Sequence, residues 1–278
     1  MPDPTILRRE VTKSLTRAAF GAGPGELTLP ESVLPVERWM LAVAQGGQGH
    51  YSRSRAELAM LTRGGVADAV TSLAWSTQAS LLRQLGWHSV AAGFDGRALA
   101  LVGSERDGAE GSVLVREARC DALTGLAADA LGCGRLALGW RLLDRCGAYL
   151  PGGAADEMWR QRVRSRWVRA ELSLADGDFA AARRHADTAA EISDVAGSVR
   201  HRIKSDLLRS ASMTGESDLG PAARLAADVL TRCDQHGLIP LKWAAAMLLS
   251  GVSGDSGAEA VRLECEALIR ARGGRFRS

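Results

Sequence analysis

One stretch, residues 163–190, constrains the fold of this chain more than any other. It reads VRSRWVRAELSLADGDFAAARRHADTAA, which predicts a helix, a tight turn at Gly177-Asp178 and a second helix. Alanine lets two helix backbones approach closely, and spacings of 4 and 7 residues keep small side chains on one helix face. The stretch therefore predicts an antiparallel helix pair. The small residues at its crossing are Ala170 on the first helix and Ala182, Ala186 and Ala189 on the second.

The same intervals recur along the chain. Ala79, Gly86, Ala91 and Ala98 repeat the spacing of Ala170, Gly177, Ala182 and Ala189. Partial copies are Gly125, Gly132 and Ala137, then Ala211, Ala223 and Ala227, with weaker copies that begin at Ala42 and near Ala246. The anchor positions 42, 79, 125, 170, 211 and 246 lie 37, 46, 45, 41 and 35 residues apart. Copies in phase predict that one helix pair is repeated along the chain.

This helix pair resembles the tetratricopeptide repeat (TPR). The residues that carry the resemblance are Trp167, Ala170, Gly177-Asp178-Phe179 and the alanines that follow. The usual period of that family is about 34 residues, so the resemblance here is to a degenerate, long-period array. It implies an all-α fold, a right-handed superhelix (α-solenoid) of about five to six TPR-like helix pairs. Such degenerate arrays occur in the sensor regions of bacterial transcription activators and as free-standing adaptors.

Three segments are expected along the chain. Residues 1–30 form a basic arm or leading helix with a Gly/Pro linker, residues 31–272 form the repeat domain, and residues 273–278 form a frayed tail. Apolar residues recur at helical spacing between Ile6 and Phe20, and basic residues fill the other face, which predicts an amphipathic helix. This pattern leaves three roles open for the first helix. It packs as a cap, binds a partner as a mobile arm, or contacts a membrane surface or nucleic acid.

Composition favours a cytoplasmic protein of bacterial origin, because three lysines against 32 arginines indicate a GC-rich coding sequence. Of the residues, 46% are hydrophobic and only 5% aromatic, which suits a tightly packed Ala, Leu and Val core. The five cysteines, odd in number and without a Cys-x-x-Cys motif, are expected to be reduced thiols. No signal peptide is apparent and no run of about 20 apolar residues predicts a membrane span. The net charge of +3 is small, so nucleic acid is not the expected partner.

No arrangement of side chains predicts catalysis or a bound metal. The five histidines are scattered, and nucleophile-elbow, kinase and dinucleotide-binding signatures are absent. Cys233 and His236 lie one helical turn apart, but a closed zinc site needs four ligands and no second pair is nearby. We therefore expect a protein that is not an enzyme and holds no cofactor or metal.

The densest charge feature is an arginine-rich helix at residues 159–169, which also carries Trp159 and Trp167. It is read as a solvated exterior, as a docking patch for an acidic partner protein, or as a nucleic-acid site. In the resembled family the first helices of the pairs form the concave face. Trp39, Trp75, Trp167 and Trp243 recur near the start of first helices, where they pack between repeats or line the groove. The residues expected to bind a partner are Arg160, Arg164, Trp167, Glu171, Ser76, Ser80, Arg83, Arg119, Ala122 and Leu208.

Two functions from different classes are consistent with these features. The first is a non-enzymatic, regulatory scaffold or adaptor that binds an acidic peptide or partner protein in an open concave groove. The alternative is a TPR-like signal sensor that binds a small molecule or peptide in a transcription-regulation context. An open groove favours the adaptor, whereas a closed pocket favours the sensor.

Overall fold

The computed structural model describes residues 4–26, 34–103, 112–150 and 156–277, and within these ranges the chain is helical with no strand. A leading helix is followed there by six helix pairs, so the all-α, TPR-like solenoid expected from the sequence is confirmed. The bounds are α1 Pro4–Phe20, α2 Pro35–Gly47, α3 Tyr51–Leu61, α4 Asp68–Arg83, α5 His88–Leu101, α6 Val113–Gly132, α7 Leu136–Gly147, α8 Trp159–Ala175, α9 Phe179–Val195, α10 Val199–Ser212, α11 Gly220–Gln235, α12 Ile239–Ser253 and α13 Ser256–Ala271, with a 3-10 turn at Asp156–Met158 before α8.

Glycines in the left-handed conformation form the tight turns inside five of the six pairs. Their φ angles are 80° at Gly49, 85° at Gly86, 72° at Gly134, 79° at Gly177 and 66° at Gly254. A side chain at such a φ is strained, whereas glycine adopts it freely and ends the preceding helix. These short turns bring the second helix of each pair back along the first.

The α8/α9 crossing follows the prediction made from residues 163–190. Ala170 on α8 and Ala182, Ala186 and Ala189 on α9 are all 0% exposed. The Trp167 indole nitrogen also donates a hydrogen bond to Ser205 Oγ of α10, 2.8 Å away. This pair is therefore closed by small residues and is tied to the next pair by a tryptophan.

The third pair departs from the predicted register by two residues. Gly132, expected in the turn, is the last residue of the 20-residue helix α6, and the turn glycine is Gly134. Because α6 is long, Gly125 does not meet α7 but faces α5, whose Asp95 carboxylate fills the space beside it. Gly132 likewise faces the His88 ring of α5.

The leading helix α1 packs as a cap on the array. Leu15, Ala18 and Ala19 are at most 2% exposed, and the Phe20 and Trp39 rings lie 5.4 Å apart. The amide of Val199, at the start of α10, donates to the Gly21 carbonyl at 3.2 Å. Of the three roles left open for this helix, the described residues show packing.

The ends of the array meet, so the solenoid closes into a ring. The Ser52 amide of α3 donates to the Arg272 carbonyl at 3.0 Å, and Arg272 Nη1 donates to the Gln48 carbonyl at 2.7 Å. Arg55 Nη2 donates to the Gly273 carbonyl at 2.8 Å. We call this contact between the first and last pairs the seam.

The C-terminal tail forms part of the seam, which corrects the expectation that residues 273–278 fray. The Trp87 indole donates to the Arg275 carbonyl at 2.7 Å, and the Arg277 amide donates to the Leu85 carbonyl at 2.8 Å. The Phe276 ring packs 5.0 Å from that of Trp243 on α12. These main-chain and ring contacts hold residues 273–277, and Ser278 lies outside the described residues.

Candidate ligand chamber on the concave face

Closure of the ring turns the concave face into a chamber. Its main cavity has a volume of about 530 Å³ and is lined by residues from the first helix of every pair, α2, α4, α6, α8, α10 and α12. Small-molecule sites typically have volumes of about 300–1,000 Å³, so the chamber has the size of a ligand site.

One wall of the main cavity is apolar. It is formed mainly by α8, α10 and α12, and by Ile269 of α13 near the seam. The larger side chains on this wall are Trp167, Leu207, Leu208, Leu241 and Trp243. The Trp243 indole nitrogen has no hydrogen-bond partner among the described residues, although Trp243 is not an exposed residue. This wall suits the apolar part of a ligand.

The other end of the chamber is narrow, and its lining combines charged groups with apolar side chains such as Phe20 and Trp39. A smaller cavity of about 70 Å³ adjoins the main one and shares with it Ser80, Gln84, Arg164, Arg200 and His201. Arg160 and Asp121 complete its charged lining. Three guanidinium groups thus face this end together with one carboxylate.

The carboxylate of Asp121 is engaged by two of these arginines. Arg160 Nη1 lies 2.6 Å from Asp121 Oδ2, and Arg164 Nε lies 3.1 Å from Asp121 Oδ1. Arg200 instead donates to the Val43 carbonyl at 3.2 Å, and no described carboxylate lies within ion-pair distance of it. Burial, followed by the neighbouring Arg164 and Arg160, lowers the pKa of Arg200 to about 10.

His201 lies behind this end in an aromatic cage. Its ring stacks on Trp167 with centroids 5.2 Å apart and meets the edge of Trp159 at 4.9 Å. Nδ1 lies 2.7 Å from Ser198 Oγ, and the residue is 2% exposed. Burial is the main reason that the pKa of His201 falls well below its ordinary value, and the nearby arginines lower it further. The imidazole is therefore neutral at neutral pH.

Two further cations on the chamber wall are neutralised within the protein. Arg83 binds the buried carboxylates of Asp95 and Asp129, the latter at 2.7 Å from Nε. Lys204 Nζ lies 3.3 Å from Glu171 Oε1 and 4.8 Å from the centre of a Trp167 ring. Among the described residues, the cation without a carboxylate partner at this end of the chamber is thus Arg200.

The structure brings most of the predicted groove residues to the chamber. Arg119 and Ala122 of α6 are exceptions, because both are buried in the packed interior and line neither cavity. Arg119 is 1% exposed, donates to the Val102 carbonyl at 2.6 Å and lies over the Tyr149 ring. The residues that line the chamber as expected are Ser76, Ser80, Arg83, Arg160, Arg164, Trp167, Glu171 and Leu208.

The arginine-rich stretch of α8 does not form a single exposed patch. Arg160 and Arg164 point inward to Asp121, whereas Arg169 Nη2 binds Asp144 of α7 at 2.9 Å. Arg166 Nη1 lies 3.1 Å from His185 Nδ1, and Arg162 also has an interaction partner. Arg160, Arg164 and Arg169 thus pair with carboxylates on neighbouring helices, so the stretch is not one unpaired cationic face.

Sequence reasoning did not place Arg200 or Gln84 in the groove. Arg200, Lys204 and Leu208 lie four residues apart on α10, which puts them on one helix face, and this spacing is the signal that was available. The approach of Arg200 also depends on Gly47 of α2, since a β-carbon there would lie 2.6 Å from Nη1. That contact joins positions far apart in sequence.

The described residues contain neither a metal-ligand cluster nor a membrane-spanning helix. No group of three or more His, Cys, Asp or Glu side chains among them could hold a metal ion. None of the described helices is long and apolar enough to cross a membrane.

Comparisons with known proteins add little beyond the fold. No protein-family model matches the chain, and no curated protein matches it. Among solved structures, the chain is similar to a Podosopora anserina protein that is described as a kinesin light chain with nearly identical TPR-like repeats. The match has 15% identity and a TM-score of 0.43, and it covers 71% of this chain and 92% of that one. The fold assignment therefore rests on the helix pairs themselves.

Proposed function

We propose that this protein is a non-enzymatic sensor that binds a small molecule or the end of a short peptide inside its ring. The observation that carries the proposal is the 530 Å³ cavity on the concave face, together with the seam that closes the ring around it. Concave faces of helical repeat arrays are their usual binding surfaces. A partner protein needs an open groove of much larger area than this chamber offers. The geometry therefore favours the sensor over the open adaptor.

The proposal is tested with N-phenyl-1-naphthylamine, a neutral apolar dye whose fluorescence rises in apolar surroundings. We expect saturable binding of one dye per chain, with quenching of tryptophan fluorescence because Trp167 and Trp243 line the cavity. Ala244→Phe places a ring in the cavity and is expected to abolish binding. Ala180→Phe adds the same ring at an exposed position of α9 and is expected to leave binding intact.

Absence of dye binding to the wild type would reject the proposal. So would equal binding to both phenylalanine variants, provided that circular dichroism and melting show both to be folded. In that case the dye binds elsewhere on the protein.

A further inference from the structure

We infer that the narrow end of the chamber is a subsite for a carboxylate- or phosphate-type anion, so that the ligand is a small organic anion with an apolar body. This inference rests on the proposed function and specifies its ligand class. The subsite is formed by Arg164 and Arg200, with Arg160 behind them.

The first argument is the supply of unused donors. Arg164 Nε lies 3.1 Å from Asp121 Oδ1 as an ion pair without a hydrogen bond, and neither Nη atom forms a hydrogen bond with a described residue. Arg200 uses Nη1 for the Val43 carbonyl, which leaves Nε and Nη2. Guanidinium groups bind carboxylate and phosphate through paired N–H donors, and such charge-assisted bonds are among the strongest in proteins. Two partly free guanidinium groups therefore converge on this end.

The second argument is the electrostatic field. Arg160 is 7% exposed, lies over the Phe20 and Trp39 rings, and has an Nη2 atom without a hydrogen-bond partner among the described residues. It shares Asp121 with Arg164, and its Nη2 lies 3.9 Å from Glu117, so neither carboxylate reaches Arg200. Like charges held together away from bulk water are unfavourable unless an anion compensates them. An anion at this end would relieve the repulsion among the three arginines.

The third argument is size and continuity. A volume of about 70 Å³ is several times what one ordered water needs, so this end has room for one carboxylate or phosphate group. The same residues, Arg164 and Arg200, border the main cavity with its apolar wall. A ligand with its anionic group at the arginines can therefore lay its apolar part against Trp167, Leu208 and Leu241.

The inference is tested with two matched dyes. 1-Anilinonaphthalene-8-sulfonate (ANS) is N-phenyl-1-naphthylamine with one added sulfonate, so the two dyes differ only in the anion. We expect ANS to bind at least about tenfold more tightly to the wild type, the effect of one charge-assisted pair. Arg200→Met should remove that preference. The affinity for the neutral dye should stay within about twofold of the wild-type value. Arg184→Met, at an exposed position of α9, should change the affinity for neither dye.

Salt provides a second measurement that needs no variant. The ANS preference should shrink between about 0.05 and 0.5 M salt, whereas binding of the neutral dye should not weaken. If both dyes bind equally to the wild type, or if Arg200→Met keeps the ANS preference, the anion subsite is rejected while the chamber stands. If neither dye binds, the proposed function itself fails.

Competition identifies the anion class. Decanoate and decyl phosphate are each expected to displace ANS if their head group suits the arginines. The stronger competitor shows whether the subsite prefers a carboxylate or a phosphate. Inorganic phosphate alone should compete weakly because it lacks the apolar part. Displacement by decanol as effectively as by both charged compounds would overturn the inference, because the apolar body alone would then account for binding.

Discussion

The carboxylate of Asp95 occupies the space beside Gly125 in which a side chain would otherwise stand. Asp95 comes from α5 and is 0% exposed, and it binds Arg83 of α4. Arg83 also binds Asp129 of α6, with Nη2 3.0 Å from Asp129 Oδ2. The second and third helix pairs are therefore joined by a buried ion triad that requires glycine at position 125.

The first prediction is that Gly125→Ala destabilises the protein by about 3 kcal/mol, because the added methyl pushes Asp95 away from Arg83 and disrupts a buried charge network. Urea unfolding followed by circular dichroism measures the change. Gly93→Ala is the matched control, since Gly93 lies within α5 and its added methyl meets nothing within 4 Å. It should stabilise by about 0.5–1 kcal/mol through helix propensity. Equal effects would show that Asp95 does not need the space.

The helix pairs were predictable because their signals are local. Gly177 and the alanines around it lie within a single stretch, and each residue needs only its neighbours along the chain to define the turn and the crossing. The same local rule failed for Gly132, because nothing local shows that α6 continues to 20 residues. The buried contact of Gly125 with Asp95 then depends on where α5 crosses α6.

The chamber was only partly predictable, for a different reason. The resemblance to the TPR family, in which first helices form the concave face, implied that Arg164, Trp167 and Leu208 lie there. Closure of the ring depends on contacts such as that of Arg272 with Gln48, which are separated by more than 200 residues and follow from the accumulated curvature of six pairs. Arg160 becomes buried only because Asp121 of another pair faces it. Such contacts leave no local signal in the sequence.

The second prediction concerns the α8/α9 crossing. Ala170→Leu adds volume where Ala170 and Ala182 are both 0% exposed, and it should cost about 1–3 kcal/mol by overpacking. Arg183→Leu is the comparison, because Arg183 lies on the partly exposed side of α9 and pairs with Asp187 at 3.1 Å. Such surface pairs contribute about 0–1 kcal/mol. The midpoint of denaturant unfolding measures the stability of both variants. Equal, small shifts of that midpoint would mean that Ala170 is not at the crossing.

The third prediction is a loss of stability in acid that depends on His201. Burial lowers the pKa of His201 in the folded protein, whereas an unfolded histidine has a pKa near 6.5. Above about pH 6.5 the His201 imidazole is neutral in both the folded and the unfolded chain, so its titration takes nothing from the free energy of unfolding. Below that pH the unfolded chain binds a proton that the folded chain excludes, and stability falls by up to about 1.4 kcal/mol per pH unit.

The measurement for His201 is the free energy of unfolding between pH 7.5 and 5. His201→Phe keeps the aromatic contact with Trp167 but removes the titrating group, so its stability should fall less steeply in acid than that of the wild type. At pH 7.5 the variant should be about 1–2 kcal/mol less stable, because Ser198 Oγ loses its partner. Parallel pH curves for the two proteins would rule out His201 as the source of the acid sensitivity.

The last prediction is that Phe276 holds the seam closed. Its ring packs on Trp243 of α12, so Phe276→Ala should loosen the tail and weaken the hydrogen bonds that join the last pair and the tail to the first two pairs. Hydrogen exchange reports this directly through the amides of Ser52 and Arg277, which donate to Arg272 and Leu85. We expect both amides to exchange at least about tenfold faster, a change of about 1.4 kcal/mol in local opening.

Phe94→Ala is the matched control for this variant, because Phe94 and Trp75 form a similar ring pair, 5.4 Å apart, within the second helix pair. Both variants lose a phenylalanine beside a tryptophan, so a comparable fall in the melting temperature is expected from each. Only Phe276→Ala should speed exchange at Ser52 and Arg277. If Phe94→Ala does so to the same extent, the ring opens by global unfolding, and the tail has no separate part in closing the chamber.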